Sequence, residues 1–150
     1  MKSKENTGEK LLKRSAKKES SHRGSKQEHD KILKDTLILL GREASALCRA
    51  FSNPTGVAYI DRDSFRVYIH YGVEGSGDIY GFMSDGRIFY FEIKSGNATQ
   101  SKKQKNFQAM CQKFNARYFV IKSAQEALSK IIEWSATNAR NFKSFSEEQP

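Results

Sequence analysis

Asp78, Glu92 and Lys94 are the residues of this chain whose types and spacing could do chemistry. Thirteen residues separate the two acids, and the lysine follows the second acid by two in the run Ile88-Phe89-Tyr90-Phe91-Glu92-Ile93-Lys94. Carboxylate oxygens suit hard divalent cations such as Mg2+. Such cations clamp the attacking and leaving oxygens of a phosphodiester, and an ammonium adds positive charge where the transition state becomes more negative. An acid, a gap and then acid-x-lysine therefore point to metal-assisted phosphodiester hydrolysis.

Strands must bring these groups together. Side chains along a strand alternate between faces, so Ile88, Tyr90, Glu92 and Lys94 share one face while Phe89, Phe91 and Ile93 share the other. That is a half-buried strand with an apolar side for packing and a polar end for chemistry. Gly77 to Met83 reads as a second strand, and Ser84-Asp85-Gly86 as a tight turn between the two, which predicts a β-hairpin. Two registers compete. A two-residue Asp85-Gly86 turn would pair Asp78 with Ile93 and face Asp78 away from Glu92. A three-residue Ser84-Asp85-Gly86 loop, with Gly86 at positive φ, pairs Met83 with Arg87 and Asp78 with Glu92. The sequence permits both loops, and only the second assembles the chemistry.

After Lys94, Ser95-Gly96-Asn97 breaks the strand and a helical pattern begins near Gln100, with Phe107, Met110, Cys111 and Phe114 as its apolar stripe. Extended back by one turn the stripe reaches Gln104, while Lys102, Lys103, Lys105 and Lys113 lie off its centre. Gln104 is either a satisfied buried amide near a helix start or a site residue that positions water, lysine or phosphate.

Taken in order, these residues resemble the VRR-NUC branch of the PD-(D/E)xK nuclease superfamily, especially its small stand-alone phage-type members. The likeness begins near Glu28 and runs through Gly56-Val57-Ala58, Tyr71 to Ile79, Asp85-Gly86-Arg87, Phe91-Glu92-Ile93-Lys94, Ser101 to Gln104 and Ile121-Lys122-Ser123. It implies an α/β fold with a restriction-endonuclease-like core, a mixed β-sheet flanked by helices. It also implies an endodeoxyribonuclease dependent on Mg2+ or Mn2+, with Asp78, Glu92 and the Ile93 carbonyl as metal ligands. Lys94 would activate or orient the attacking water, Gln104 would be its helix partner, and Glu28 would match the family's N-terminal acid. Two positions depart from the family pattern: Gly77 stands where proline usually precedes the aspartate, and Ser95-Gly96 replaces a more basic stretch. Glycine leaves a looser backbone approach to Asp78 than proline would. The resemblance further implies structured DNA as substrate, such as four-way junctions or flaps in phage or mobile-element recombination and repair. Symmetric cutting of a junction would require a homodimer. The alternatives are a nicking or restriction-like nuclease on ordinary duplex, and a non-catalytic nucleic-acid-binding module.

With 150 residues, of which 37% are hydrophobic and 11% aromatic, the chain can build one compact core. No apolar run approaches the length of a membrane span and no signal-peptide core is visible, so the expectation is a protein of the bacterial or phage-infected cytoplasm. Cys48 and Cys111 lie on expected helical stripes and lack any zinc-ligand spacing, which favours buried free thiols. Net charge is +9, and residues 1–26 carry nine Lys/Arg against three Glu. That segment lacks apolar periodicity and reads as a disordered basic tail, either a phosphate-binding arm or a solubilising extension. A nuclease domain is expected over 27–140 and a polar tail over 141–150.

From Gln27 a helix is expected with Leu33, Leu37, Leu40, Ala44, Leu47 and Phe51 facing the core, ending at Asn53-Pro54-Thr55-Gly56. Glu28 and Glu43 lie roughly 22 Å apart along such a helix and cannot serve one metal. Val57 to Ile60 and Phe65 to Tyr71 read as strands around the turn Asp61-Arg62-Asp63, Arg117 to Ile121 as a further strand, and Ala124 to Trp134 as a closing helix. His29 and His70 could approach DNA, but each stands alone and reads more readily as a surface or partly satisfied residue.

The charge distribution gives a first expected result. Removing Met1 to Ser25 should leave metal-dependent chemistry intact while weakening DNA binding and flattening its salt dependence. Every phosphate that the shortened chain no longer neutralises lowers the slope of log affinity against log salt by roughly 0.9 on duplex DNA. Binding isotherms over a salt series check this, and an unchanged slope would show that the tail does not touch DNA.

Overall fold

A computed structural model of the chain describes the backbone of residues 7–146 and the side chains of residues 25–137. The charge display expected of the basic tail, and of the polar C-terminal tail, lies outside the described side chains. Nine elements follow in order: α1 (Thr7–Glu43), β1 (Cys48–Ser52), β2 (Gly56–Arg62), β3 (Phe65–Tyr71), β4 (Ile79–Met83), β5 (Ile88–Ile93), α2 (Lys102–Lys113), β6 (Arg117–Ile121) and α3 (Ala124–Ser146).

Four strands form a mixed sheet in the order β1-β4-β5-β6, antiparallel except for the parallel pair β5 and β6. A parallel pair needs a crossover, and α2 supplies it. Phe89, Phe91 and Ile93 of β5 pack with Ile79, Met83 and Ile121 in a core joined by Leu40 of α1, by Ala44 just after it, and by Ala127 and Ile131 of α3. Helix α2 lies on the opposite face, where Phe107 meets the rings of Tyr90 and Tyr118 at 5.0 and 6.0 Å. The fold is thus α/β, a mixed sheet flanked by helices, and none of the described helices is long and apolar enough to cross a membrane.

The hairpin takes the three-residue loop. The Met83 N–H donates to Arg87 at 2.8 Å and the Gly86 N–H to Met83 at 2.9 Å, and Gly86 adopts φ of 85°. Ladder pairs Phe82↔Ile88 through Ile79↔Phe91 continue the same register, whose next step sets Asp78 opposite Glu92. The other register, with Asp78 opposite Ile93, does not occur.

The first helix differs from expectation at both ends. It begins at Thr7, so the backbone is helical through most of the segment expected to be disordered, and it stops at Glu43. Cys48 to Ser52 is strand β1, paired with β4 from Cys48↔Met83 to Ser52↔Ile79. Leu47 and Phe51 continue the alternating four- and three-residue steps of the helix, which is why they read as part of it. In the fold, pairing with the edge of β4 prevails over that local periodicity, as long-range context commonly does. Cys48 consequently sits buried in a strand, Cys111 buried in α2, and both are free thiols.

Strands β2 and β3 form a separate two-stranded ribbon from Gly56↔Tyr71 to Arg62↔Phe65. Its turn is Asp63-Ser64, so Asp61 belongs to β2, where Arg66 donates to it at 2.5 Å. Helix α3 continues past Trp134 to Ser146.

Candidate active site

Glu92 sits at the end of β5, 3% exposed, on the face covered by α2. A carboxylate there must be matched by donors to be tolerated, and three reach it. Gln104 Nε2 donates to Oε1 at 2.6 Å, Lys94 Nζ stands 2.9 Å from the same oxygen, and Tyr118 OH donates to Oε2 at 2.9 Å. Burial pushes the Glu92 carboxyl above its ordinary range; the Lys94 hydrogen bond opposes this and the nearby Asp78 charge adds to it. Burial and the Glu92 charge likewise push the Tyr118 hydroxyl up, so it remains a phenol that donates.

Gln104 holds this cluster to the start of α2. Ser101 caps the helix in a capping box: its hydroxyl accepts from the Gln104 N–H at 3.3 Å while Gln104 Oε1 accepts from the Ser101 N–H at 2.8 Å. The same Oε1 accepts from Lys94 Nζ at 3.0 Å. Gln104 is therefore a half-buried, satisfied amide near a helix start whose side chain also bonds to the acid and the lysine. It shares its face with Phe107 and Cys111, whereas Met110 is 42% and Phe114 79% exposed, so the stripe of α2 is narrower than expected. Replacing Gln104 by alanine removes half of the capping box and the brace on Lys94. A loss of about 1 kcal/mol in urea unfolding is expected, with a drop in turnover larger than that destabilisation can explain; equal parallel losses would leave only the capping role.

Asp78 lies just before β4. Its Oδ2 accepts the Ile93 N–H at 2.7 Å, and its backbone carbonyl accepts the Asn53 N–H at 2.8 Å. Asn53 Nδ2 adds bonds to Gly77 O at 2.7 Å and Ser76 Oγ at 2.9 Å, fixing the loop that presents the aspartate. Because a strand residue's N–H and C=O point to the same edge, the Ile93 carbonyl lies on the Asp78 side. Gly77 owes its identity to a close approach: a Cβ there would stand 2.6 Å from the Phe91 carbonyl oxygen. The glycine thus tightens the contact of this loop with β5 instead of loosening it. Gly77→Ala should cost about 1–3 kcal/mol and disturb the Asp78–Ile93 bond, measurable by urea unfolding and by the exchange rate of the Ile93 amide.

The helix side chain at Asp78 is not that of Glu28, which is exposed. It is that of the next residue, His29, whose Nε2 lies 3.3 Å from Asp78 Oδ1. Successive helical residues diverge by about 100°, so only one of the pair can face the sheet. Sequence reasoning also passed over Tyr118 and Asn53. Tyr118 shares a face with Val120, and the parallel register that sets Val120 beside Glu92 brings Tyr118 to the acid.

A carboxylate offers about four acceptor positions. Three on Glu92 are taken, and on Asp78 one is taken by Ile93 and one faces His29. Open positions remain on both acids, with Asp78 27% exposed at its side chain and the Ile93 carbonyl at the same edge. Among the described residues no three His, Cys, Asp or Glu side chains converge as a closed cage. An open site of one or two carboxylates, completed by water and phosphate, is how Mg2+ is commonly held, and the donor set fits it. No family model, curated protein or solved structure matches the chain.

Proposed function

We propose that the chain is a metal-dependent endodeoxyribonuclease with a restriction-endonuclease-like core of the VRR-NUC type. The observation that carries this reading is the placement of Lys94 Nζ, 2.9 Å from Glu92 Oε1 and 3.0 Å from Gln104 Oε1, beside Asp78 at the adjoining strand end. A binding module has no need of a desolvated acid beside a second acid where phosphate must approach; a hydrolase does.

Asp78, Glu92 and the Ile93 carbonyl would hold the cation, Mg2+ or Mn2+. When bound it would supply Lewis acidity toward a phosphate oxygen and toward water. Lys94 has three N–H donors, two of them directed at Glu92 and Gln104, which leaves one for the attacking water or a phosphate oxygen. Gln104 and Glu92 fix the direction of that donor before substrate arrives, and such preorganisation is what makes a charge effective in the transition state. Tyr118, kept protonated, locks the second oxygen of Glu92 and prevents the carboxylate from rotating.

Branched or otherwise structured DNA is the substrate we favour, with duplex nicking as the alternative. Cleavage of a panel of four-way junction, flap, duplex and single strand, with Mg2+, Mn2+ or EDTA and with oligomeric state measured alongside, tests both levels of the reading. Preferential, EDTA-sensitive cutting of the junction or flap supports it. Equal cutting of all four DNAs would remove the structural preference, and metal-dependent binding without cutting would favour the non-catalytic module.

A further inference from the structure

We infer that His29 Nε2 is a metal ligand beside Asp78 Oδ1 and that it biases the site toward a first-row divalent ion such as Mn2+ over Mg2+. The inference rests on the metal-dependent reading above. Helix α1 brings the imidazole to Asp78 with 31% of the histidine side chain and 27% of the aspartate side chain exposed, so an ion from solvent can reach both. The two atoms stand 3.3 Å apart. Two cis ligands about 2.1 Å from one octahedral ion are about 3.0 Å apart, so a movement of a few tenths of an ångström would let both bind.

Asp30 Oδ1 lies 3.5 Å from His29 Nδ1, longer than a formed hydrogen bond. A carboxylate that closed on that nitrogen would direct Nε2 toward an ion, as in the carboxylate–histidine–metal arrangement. Asp78 Oδ2 is occupied by the Ile93 N–H, so Oδ1, the oxygen beside His29, is the freer of the two. Mg2+ takes oxygen ligands almost exclusively, whereas first-row ions accept imidazole. A histidine here therefore discriminates between the two ions in a way that Glu28 would not.

Titration calorimetry of the full chain with MnCl2 and with MgCl2, together with electron spin-echo spectroscopy of bound Mn2+, tests this. Wild type should show coupling of Mn2+ to an imidazole nitrogen. His29→Ala should abolish the coupling and weaken Mn2+ by about tenfold or more, with Mg2+ changed by less than about threefold. His29→Gln, which keeps a polar side chain against Asp78 should the alanine variant fold poorly, should lose the coupling in the same way. Mn2+ bound to wild type without nitrogen coupling, or equal weakening of both ions in His29→Ala, would overturn the inference and leave the metal-dependent reading standing. Absence of any Mn2+ or Mg2+ binding to wild type would overturn both.

Discussion

Glu92→Gln is expected to reduce cleavage by on the order of a thousandfold or more while DNA binding is kept or strengthened. The change would remove one of the proposed charged metal ligands, and a metal ion's stabilisation of the transition state amounts to several kcal/mol, at about 1.4 kcal/mol per tenfold in rate. It would also remove a negative charge from the surface proposed to meet phosphate. The fold should tolerate it. A glutamine can direct its carbonyl oxygen toward Lys94 and Gln104, which both donate to Oε1, and its amide toward Tyr118, whose oxygen can accept once its own proton turns away. The substitution relieves a buried acid whose ionised form is disfavoured by burial. Asp78→Asn should lose activity similarly. Single-turnover rates beside binding isotherms separate the two effects, and near-normal turnover by either variant would remove the proposed site.

Lys94→Ala is expected to be inactive with the cation still bound, and to be the least stable of the site variants. Its side chain is 12% exposed and its ammonium is the only cation among the described partners of Glu92. Removing one member of a buried ion pair typically costs about 3–5 kcal/mol, because the remaining charge is left uncompensated. Glu92 would then be pushed further up. Added Mg2+ or Mn2+ restores positive charge beside the carboxylate, so thermal unfolding should show a larger metal-induced stabilisation in Lys94→Ala than in wild type, alongside undetectable cleavage. Full activity, or no response of stability to metal, would contradict the role assigned to Lys94.

What could be read from the sequence was mainly local. The β4–β5 hairpin followed from two alternating runs joined by Ser84-Asp85-Gly86, and the choice between its registers followed from chemistry, since only one sets Asp78 opposite Glu92. Gln104 emerged because extending the helical stripe back by one turn reached a polar residue. Strand β1 was hidden, because Leu47 and Phe51 keep a helical spacing while the partner that makes Cys48–Ser52 a strand lies about thirty residues away in β4. His29 was hidden for a different reason. Whether Glu28 or His29 faces Asp78 depends on the rotation of α1 about its own axis, set by the packing of Leu40 and Ala44 into the core. Tyr118 needed the order of the sheet, which sequence periodicity does not encode. The exposure of Met110 and Phe114 likewise reflects how α2 turns to place Gln104, Phe107 and Cys111 toward the sheet.

The most direct test of the central claim is single-turnover cleavage of a labelled four-way junction by the full chain as Mg2+ is titrated, removed with EDTA and added back, with wild type and Asp78→Asn run side by side. Wild type should cut only with metal, recover on re-addition and leave 5′-phosphate ends, while Asp78→Asn binds the DNA and does not cut. Cleavage that persists in EDTA, or equal rates for the two proteins, would contradict the account.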